Sequence, residues 1–235
     1  MSMKRFFVCG TDTGIGKTMV SLLLMRSLFR RNESPFYYKW LQTGCTGPYD
    51  DDSDARFVYS RTPELAQSDP SLSVGRCFRN PKAPCQAAKD DGVVLNRSEL
   101  VRSLQSVCEQ HETVVAEAAG GLMVPVLPGA TILDLMTDAA RFGFRPLLAA
   151  RAGLGTVNHT LLSINALRAA GILPAGVIMV QGPEPTDPLL VRENQEAIYD
   201  ASAVRVLGVI PRIQDSYNPP ESAFEPFAAL LDPKI

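Results

Sequence analysis

One ten-residue stretch limits what this chain can become more than any other. Cys9-Gly10-Thr11-Asp12-Thr13-Gly14-Ile15-Gly16-Lys17-Thr18 follows the branched apolar run Arg5 to Cys9 and precedes a stretch of helical period, Lys17 to Arg31, with Val20, Leu23, Leu24 and Leu28 on one face. A loop that leaves a strand and enters a helix aims several backbone N–H groups at one point, and the helix dipole reinforces them, so phosphate is the natural occupant. Glycines at 10, 14 and 16 allow positive φ and close backbone approach, Lys17 can reach the outer phosphates, and the Thr18 hydroxyl can ligate magnesium. The usual Gly-x-x-x-x-Gly-Lys-Ser/Thr spacing places glycine where this chain has Thr11, but the strand before and the helix after satisfy the context. Glycines that merely turn a strand into a helix account for Gly10 and leave Gly16-Lys17-Thr18 in series unexplained.

Apolar runs rich in branched residues recur at Phe36 to Trp40, Thr113 to Glu117, Pro146 to Ala150, Gly176 to Val180 and Val204 to Ile210. Helical stretches alternate with them: Arg97 to about Gln110 behind the capping box Asn96-Arg97-Ser98-Glu99, then Thr131 to Phe142, Thr156 to Ala170 and Asp187 to Ser202. Gly171 occupies a C-cap position with Pro174 just beyond. The alternation predicts an α/β fold of three layers, a mostly parallel central sheet with helices on both faces, in one domain spanning residues 1–235. Gln42 to Asp91 fits it worst and reads as an insertion that carries function, while the proline-rich tail from Asp215 is expected to wrap the surface. With 46% hydrophobic residues and a formal net charge of -2, the chain can build a core but carries no positive field to draw it to nucleic acid or an anionic membrane. A small metabolite is the expected partner. The opening apolar run ends at Gly10, too short for a signal peptide, and no run approaches the roughly 18 residues of a membrane span, so a cytoplasmic protein is expected. The cysteines at 9, 45, 77, 85 and 108 lack Cys-x-x-Cys spacing and read as reduced thiols with no zinc site.

The variant loop Gly-Thr-Asp-Thr-x-x-Gly-Lys-Thr at 10–18 is not alone. Lys39-Trp40-Leu41-Gln42-Thr43-Gly44 follows the second strand, then Ser53-Asp54-Ala55, Glu117-Ala118-Ala119-Gly120-Gly121, the block Arg151-Ala152-Gly153-Leu154-Gly155-Thr156-Val157-Asn158-His159, and Gly208 to Pro211. In this order and spacing the set resembles dethiobiotin synthetase, an ATP-dependent ligase of the P-loop NTPase superfamily, across nearly the whole chain. The resemblance implies that 7,8-diaminopelargonate and CO2 are joined through a carbamate that ATP phosphorylates, giving dethiobiotin, ADP and phosphate. It further implies a homodimer in which two chains share each substrate site.

Such a reaction sets a carbamate anion against a triphosphate, so its barrier yields to positioning and positive charge. Lys17 and Lys39 are the catalytic candidates. Spacing alone leaves Lys39 open between this role and a solvated strand-end lysine; the resemblance favours the first. Magnesium takes oxygen ligands, and Thr18, Asp54 and Glu117 supply them. Asp54 closes an acidic run, Asp50-Asp51-Asp52-Ser53-Asp54, and only its place after the Lys39 segment singles it out. Nucleotide would lie on Thr13, Gly14, Ile15, Gly16, Lys17, Thr18, Met19, Asp54, Glu117, Ala118, Ala119 and Gly120 at its phosphate end. At its base it would meet Val180, Gln181, Ile210, Pro211 and Arg212. Thr43, Gly120 and Gly121 would hold the amine end of the diamine, and Gly155, Thr156 and Asn158 its carboxylate at a helix N-terminus contributed by the partner, a segment that spacing alone reads equally well as an ordinary capped corner. His159 is taken as a structural helix residue.

The pattern departs from the family in three places. Val180 stands where an adenine-reading asparagine is usual, with Gln181 next to it, so the preferred base stays open. Ala118 replaces a glycine, which is tolerable where φ is negative. Asn80-Pro81-Lys82-Ala83-Pro84-Cys85 lacks the family's histidine. Cobyrinate and CTP synthetases share the core but need a glutaminase domain with a Cys-His pair. Partition and septum-site ATPases, nucleotide switches, carry a second lysine where this chain has Asp12. A nucleotide-binding module without ligase activity is the remaining alternative.

Overall fold

The computed structural model describes residues 3–232. Among the described residues nine strands form: β1 (Lys4–Gly10), β2 (Phe36–Thr43), β3 (Val74–Phe78), β4 (Thr113–Gly121), β5 (Pro125–Leu127), β6 (Ala130–Thr131), β7 (Arg145–Arg151), β8 (Gly176–Val180) and β9 (Val206–Ile210). The helices are α1 (Lys17–Phe29), α2 (Asp54–Arg61), α3 (Pro84–Asp90), α4 (Arg97–Gln110), α5 (Ile132–Ala140), α6 (Thr156–Ala169), α7 (Pro188–Ser202) and α8 (Glu225–Leu231). A seven-stranded sheet runs β3-β2-β4-β1-β7-β8-β9, every pairing in it parallel, and β5 with β6 makes a small antiparallel hairpin.

Both faces of the sheet are covered, and the inner strands accordingly read as near-continuous apolar runs rather than alternating ones. Phe6, Val8, Tyr37, Val115, Leu147 and Ile178 join the cluster under α1, α2 and α8. Phe7, Cys9, Tyr38, Trp40, Val114, Leu148 and Val177 join the opposite cluster under α4, α5, α6 and α7. The single apolar face expected of α1 is wider in the structure: Leu22 and Met25 are buried beside Val20, Leu23, Leu24 and Leu28, because α2 and the C-terminal segment cover the outer side. Each such side chain contributes about 1.5–3 kcal/mol relative to exposure.

Caps fix several helix starts. Asn96 accepts from the Ser98 and Glu99 N–H groups, Asp187 from Leu189, and Thr131 with Asp134 forms a capping box. Gly171 takes φ +74 just past α6, as its C-cap position requires.

The structure corrects three expectations. The tail does not merely wrap the surface: a 3₁₀ turn at Glu221–Phe224 leads into α8, and Ala223, Phe227 and Leu230 are buried in the α1 cluster, so its apolar spacing outweighs its prolines. The 42–91 segment contains the edge strand β3 as well as short helices, and β3 extends the main sheet. Cys45 and Cys77, expected as free thiols, are joined as a disulfide with Cα atoms 6.6 Å apart. Parallel pairing sets Gln42 against Cys77 and Thr43 against Phe78, and the Gly44 and Cys45 N–H groups then donate to the Phe78 carbonyl, which brings the two cysteines side by side. Among the described residues no helix is long and apolar enough to cross a membrane.

Candidate active site

The strand order reverses at β1: β4 and β2 lie on one side of it, β7, β8 and β9 on the other. In open α/β sheets ligands collect in the crevice beyond the carboxyl ends of the strands at this switch point, and the glycine loop leaves β1 there. Its backbone is tied to the sheet where the Thr11 N–H donates to the Ala149 carbonyl at 3.0 Å. Gly14 and Gly16 take φ +70 and +91, and no side chain caps α1 at Gly16, which leaves that helix end to a ligand. Gly10 keeps ordinary φ but has no room for a methyl group, which would lie 2.7 Å from the Ile15 side chain.

Parallel register places Lys39 of β2 and Val8 of β1 on either side of Glu117 of β4. Lys39 and Glu117 share the sheet face covered by α1. Glu117 does not end its strand, as expected, but sits inside it with 0% exposure, because β4 continues to Gly121. One carboxylate oxygen of Glu117 accepts from Lys39 Nζ at 2.7 Å and Thr18 Oγ1 at 3.0 Å, the other from Ser21 Oγ at 2.7 Å and Tyr37 Oη at 2.9 Å. Lys39 Nζ also lies 2.6 Å from Asp54 Oδ2, while Asp54 Oδ1 accepts from Thr18 Oγ1 at 2.8 Å. Asp54 arrives at the first position of α2, which Ser53 caps and Gln42 steadies by accepting from the Asp54 N–H.

These neighbours set the charges. Burial works to lower the Lys39 pKa, but the Glu117 and Asp54 carboxylates and their hydrogen bonds outweigh it and hold the ammonium well above the ordinary lysine range. Burial would raise the Asp54 carboxyl, and Lys39 above all outweighs it and holds it low. Lys17 has the opposite balance: burial and then the Lys39 charge depress it, against the pull of Glu117 and Asp54. Lys17 Nζ meanwhile donates to the Asp12 carbonyl at 3.0 Å.

A cavity of about 590 Å³ brings together Thr13, Gly14, Gly16, Lys17, Thr18, Lys39, Thr43, Asp54, Glu117, Ala119 and Gly120. Its remaining walls, Pro81, Lys82, Ala83, Pro84 and Val124, come from segments in which sequence reasoning assigned no site residue. A second cavity of about 750 Å³ shares Gly14 and Gly16 with the first and holds Ile15, Met19, Val180, Gln181, Ile210, Pro211 and Arg212. The loop is thus the common wall of a phosphate-sized crevice and a flanking pocket. Val180 packs toward Gly16, where a Cβ would lie 3.0 Å from its Cγ1, and Gln181 Oε1 accepts from the Thr186 N–H at 3.1 Å.

Other candidates lie elsewhere. Ala118 is buried without positive φ, so the methyl group is accommodated; its carbonyl accepts from Lys39 Nζ at 3.2 Å. Gly121 lines a neighbouring groove with His159, which is exposed on α6 rather than packed. Gly155 takes φ +86 at the start of α6, Thr156 is buried against Thr160, and Asn158 is exposed; none of the three reaches the first cavity within one chain.

Magnesium fits the donor set. Thr18, Asp54 and Glu117 present hard oxygens within 3.0 Å of one another through the Thr18 hydroxyl, few enough to leave positions for phosphate and water. Among the described residues no group of three or more His, Cys, Asp or Glu could hold a metal by itself.

The sheet, the loop and the paired lysines define a P-loop nucleotide-binding protein. A family model described as an AAA domain matches residues 4–220, and solved septum-site ATPases share the fold. The chain aligns with the MinD cell division ATPase of Pyrococcus furiosus at TM-score 0.57 and 18% identity over 99% of this chain and 100% of that one. It aligns with the Mg-ADP complex of MinD from Pyrococcus horikoshii at TM-score 0.58 and 16% identity over 99% and 96%. At such identity the likeness is one of fold. Sequence similarity runs elsewhere: 38% identity with the ATP-dependent dethiobiotin synthetase BioD of Nitrobacter hamburgensis over 89% of this chain and 86% of that protein. The enzyme of the same name from Anaeromyxobacter dehalogenans is 36% identical over 84% and 86%. The chain belongs to the ATP-dependent dethiobiotin synthetase family.

Proposed function

We propose that this chain catalyses ATP-dependent closure of the cyclic urea of dethiobiotin from 7,8-diaminopelargonate and CO2. The observation that carries the reading is the Thr18–Asp54–Lys39–Glu117 cluster, buried at Lys39 and Glu117 and half-buried at Thr18 and Asp54, opening into the same cavity as the glycine loop and Thr43. One amine adds to CO2 and loses a proton to become a carbamate. A carbamate oxygen takes the γ-phosphoryl group from ATP, breaking its bond to ADP. The second amine then attacks the carbamoyl carbon, loses a proton and expels phosphate.

The protein's part is charge and geometry. The loop N–H groups and Lys17 hold the β and γ phosphates. Lys39 lies in the middle of β2 rather than at a strand end, because β2 runs on to Thr43, and its ammonium has only to turn from the two carboxylates to face the transferred group. Magnesium held by Thr18, Asp54 and Glu117 would supply positive charge to the phosphate oxygens. Tyr37 and Ser21 keep Glu117 oriented by bonding its far oxygen. Thr43 and the Gly120-Gly121 backbone would take the amine end. Gly155, Thr156 and Asn158, remote from the cavity of their own chain, fit a homodimer in which the partner's helix end holds the substrate carboxylate. The base would lie beside Val180, Gln181, Ile210, Pro211 and Arg212. A cytoplasmic location suits these metabolites.

In the decisive assay, phosphate release requires ATP, magnesium, the diamine and bicarbonate together, and the product is lighter than the carbamate by one water. Phosphate release indifferent to the diamine would refute the ligase reading and favour a nucleotide switch.

A further inference from the structure

Lys82 lines the first cavity together with Thr43, Ala83, Pro84 and the phosphate loop. Its backbone is held firmly. The Lys82 N–H donates to the Asn80 carbonyl at 2.8 Å, the Arg79 N–H to Asp91 Oδ2 at 3.1 Å, and Pro81 packs so close to Gly44 that a Cβ there would lie 3.2 Å away. The side chain is not so confined. Its stem and ammonium are 53% exposed, and its ion-pair partner is Asp90 Oδ2 at 2.6 Å. Asn80 Nδ2 also donates to that oxygen at 2.7 Å, so Asp90 keeps a partner when Lys82 leaves. An ion pair this exposed is worth little and is readily exchanged.

The charges in the cavity give Lys82 something to do. Of the ionisable side chains lining it, Lys17 and Lys39 offset Asp54 and Glu117, and Lys82 is the cation left over. An anionic acceptor that enters beside a triphosphate needs a counter-charge on its own side. We propose that Lys82 is a substrate-contacting, specificity-determining residue: its ammonium exchanges Asp90 for a carboxylate-type anion of the acceptor bound against Thr43. The assignment rests on the proposed reaction, in which that anion is the carbamate formed at the amine end, the tail carboxylate being held at the partner's helix end.

The test is steady-state kinetics of the full chain and of Lys82→Gln, Lys82→Arg and Asp90→Asn, varying the diamine, bicarbonate and ATP separately. Loss of one charge-assisted hydrogen bond should raise the KM for the diamine about tenfold in Lys82→Gln while the KM for ATP stays within about twofold. Lys82→Arg should restore most of the loss, and Asp90→Asn should leave the diamine KM at or below the unaltered value. Repeating the comparison with the methyl ester of the diamine checks the anion: a defect that persists supports the carbamate, and one that disappears overturns the assignment. An unchanged diamine KM in Lys82→Gln, an equal rise for ATP, or the same defect in Asp90→Asn overturns the assignment alone. Absence of diamine-dependent turnover in the unaltered protein overturns the proposed reaction and this assignment with it.

Discussion

Replacing Lys39 by alanine should cost both folding stability and turnover, and the two losses should respond differently to ligands. In the folded chain the Lys39 ammonium lies 2.6 Å from Asp54 and 2.7 Å from Glu117. Removing one partner of a buried ion pair typically costs about 3–5 kcal/mol, because the other charge stays uncompensated. The lower end applies here for two reasons. Glu117 keeps its bonds from Tyr37, Ser21 and Thr18, and the Asp54 side chain is 27% exposed and keeps some water. For a chain of this size about 3 kcal/mol corresponds to a fall of roughly 6–12 °C in Tm. Magnesium bound with the nucleotide would return positive charge to the two carboxylates, so the deficit should narrow in its presence, read by calorimetry on both proteins with and without MgATP. Turnover should not recover: kcat should stay about 10²–10³ lower, since in the proposed reaction the lost charge faces the group in transfer. A Tm loss below about 2 °C, or one of equal size with and without MgATP, would refute the reasoning that Lys39 neutralises a metal-binding pair.

Three further outcomes follow from the same geometry. Asp54→Ala should reduce kcat about 10²-fold or more, whereas Asp51→Ala, which breaks only an exposed pair with Arg56, should leave phosphate release unaltered; equal loss at Asp51 would upset the choice of Asp54. Burial depresses the Lys17 pKa, so in the free protein its charge is present below that lowered value and lost as pH rises through it, at a lower pH than for ordinary lysine; bound phosphates favour the protonated form, so the KM for ATP should climb on the alkaline side and titration calorimetry in two buffers should show proton uptake on binding. Gly16→Ala would force a side chain onto φ +91 and bring its Cβ to 3.0 Å from Val180, which should weaken ATP binding about tenfold or more, since strain of this kind costs about 1–3 kcal/mol; an unchanged affinity in equilibrium binding would remove the loop from the phosphate site.

The parts of the fold legible in the sequence are those with strong local signals. The loop at 10–18 fixed the register of β1 and α1, and the doubly covered strands showed as continuous apolar runs at 113–117, 146–150 and 176–180. β3 was not legible because Val-Gly-Arg-Cys-Phe is an edge strand, buried fully only at Phe78, and so lacks such a run. The tail was misjudged because its prolines suggested an irregular path while Phe224, Phe227 and Leu230 supplied a helical apolar face. At the site, Lys17, Thr18, Lys39, Asp54 and Glu117 were found by motif, but their supports were hidden in apolar surroundings. Two periodicities could have exposed them: Ser21 lies one helical turn beyond Thr18, and Tyr37 lies two residues before Lys39 on the same strand face. Lys82 was passed over because its segment, 80–85, drew notice only for the histidine it lacks, and only the return of the chain beside Gly44 sets it in the cavity wall.

The central claim, that Lys17, Lys39 and a metal held by Thr18, Asp54 and Glu117 act together on a phosphoryl group passing to a carbamylated diamine, is tested most directly by a crystal structure with magnesium, a non-hydrolysable ATP analogue and the diamine in bicarbonate. The account predicts both ammonium groups at the γ-phosphate and the Glu117 carboxylate on the metal or one of its waters. Lys39 still locked to Asp54 and Glu117, or Glu117 turned away from the phosphate tail, would contradict it.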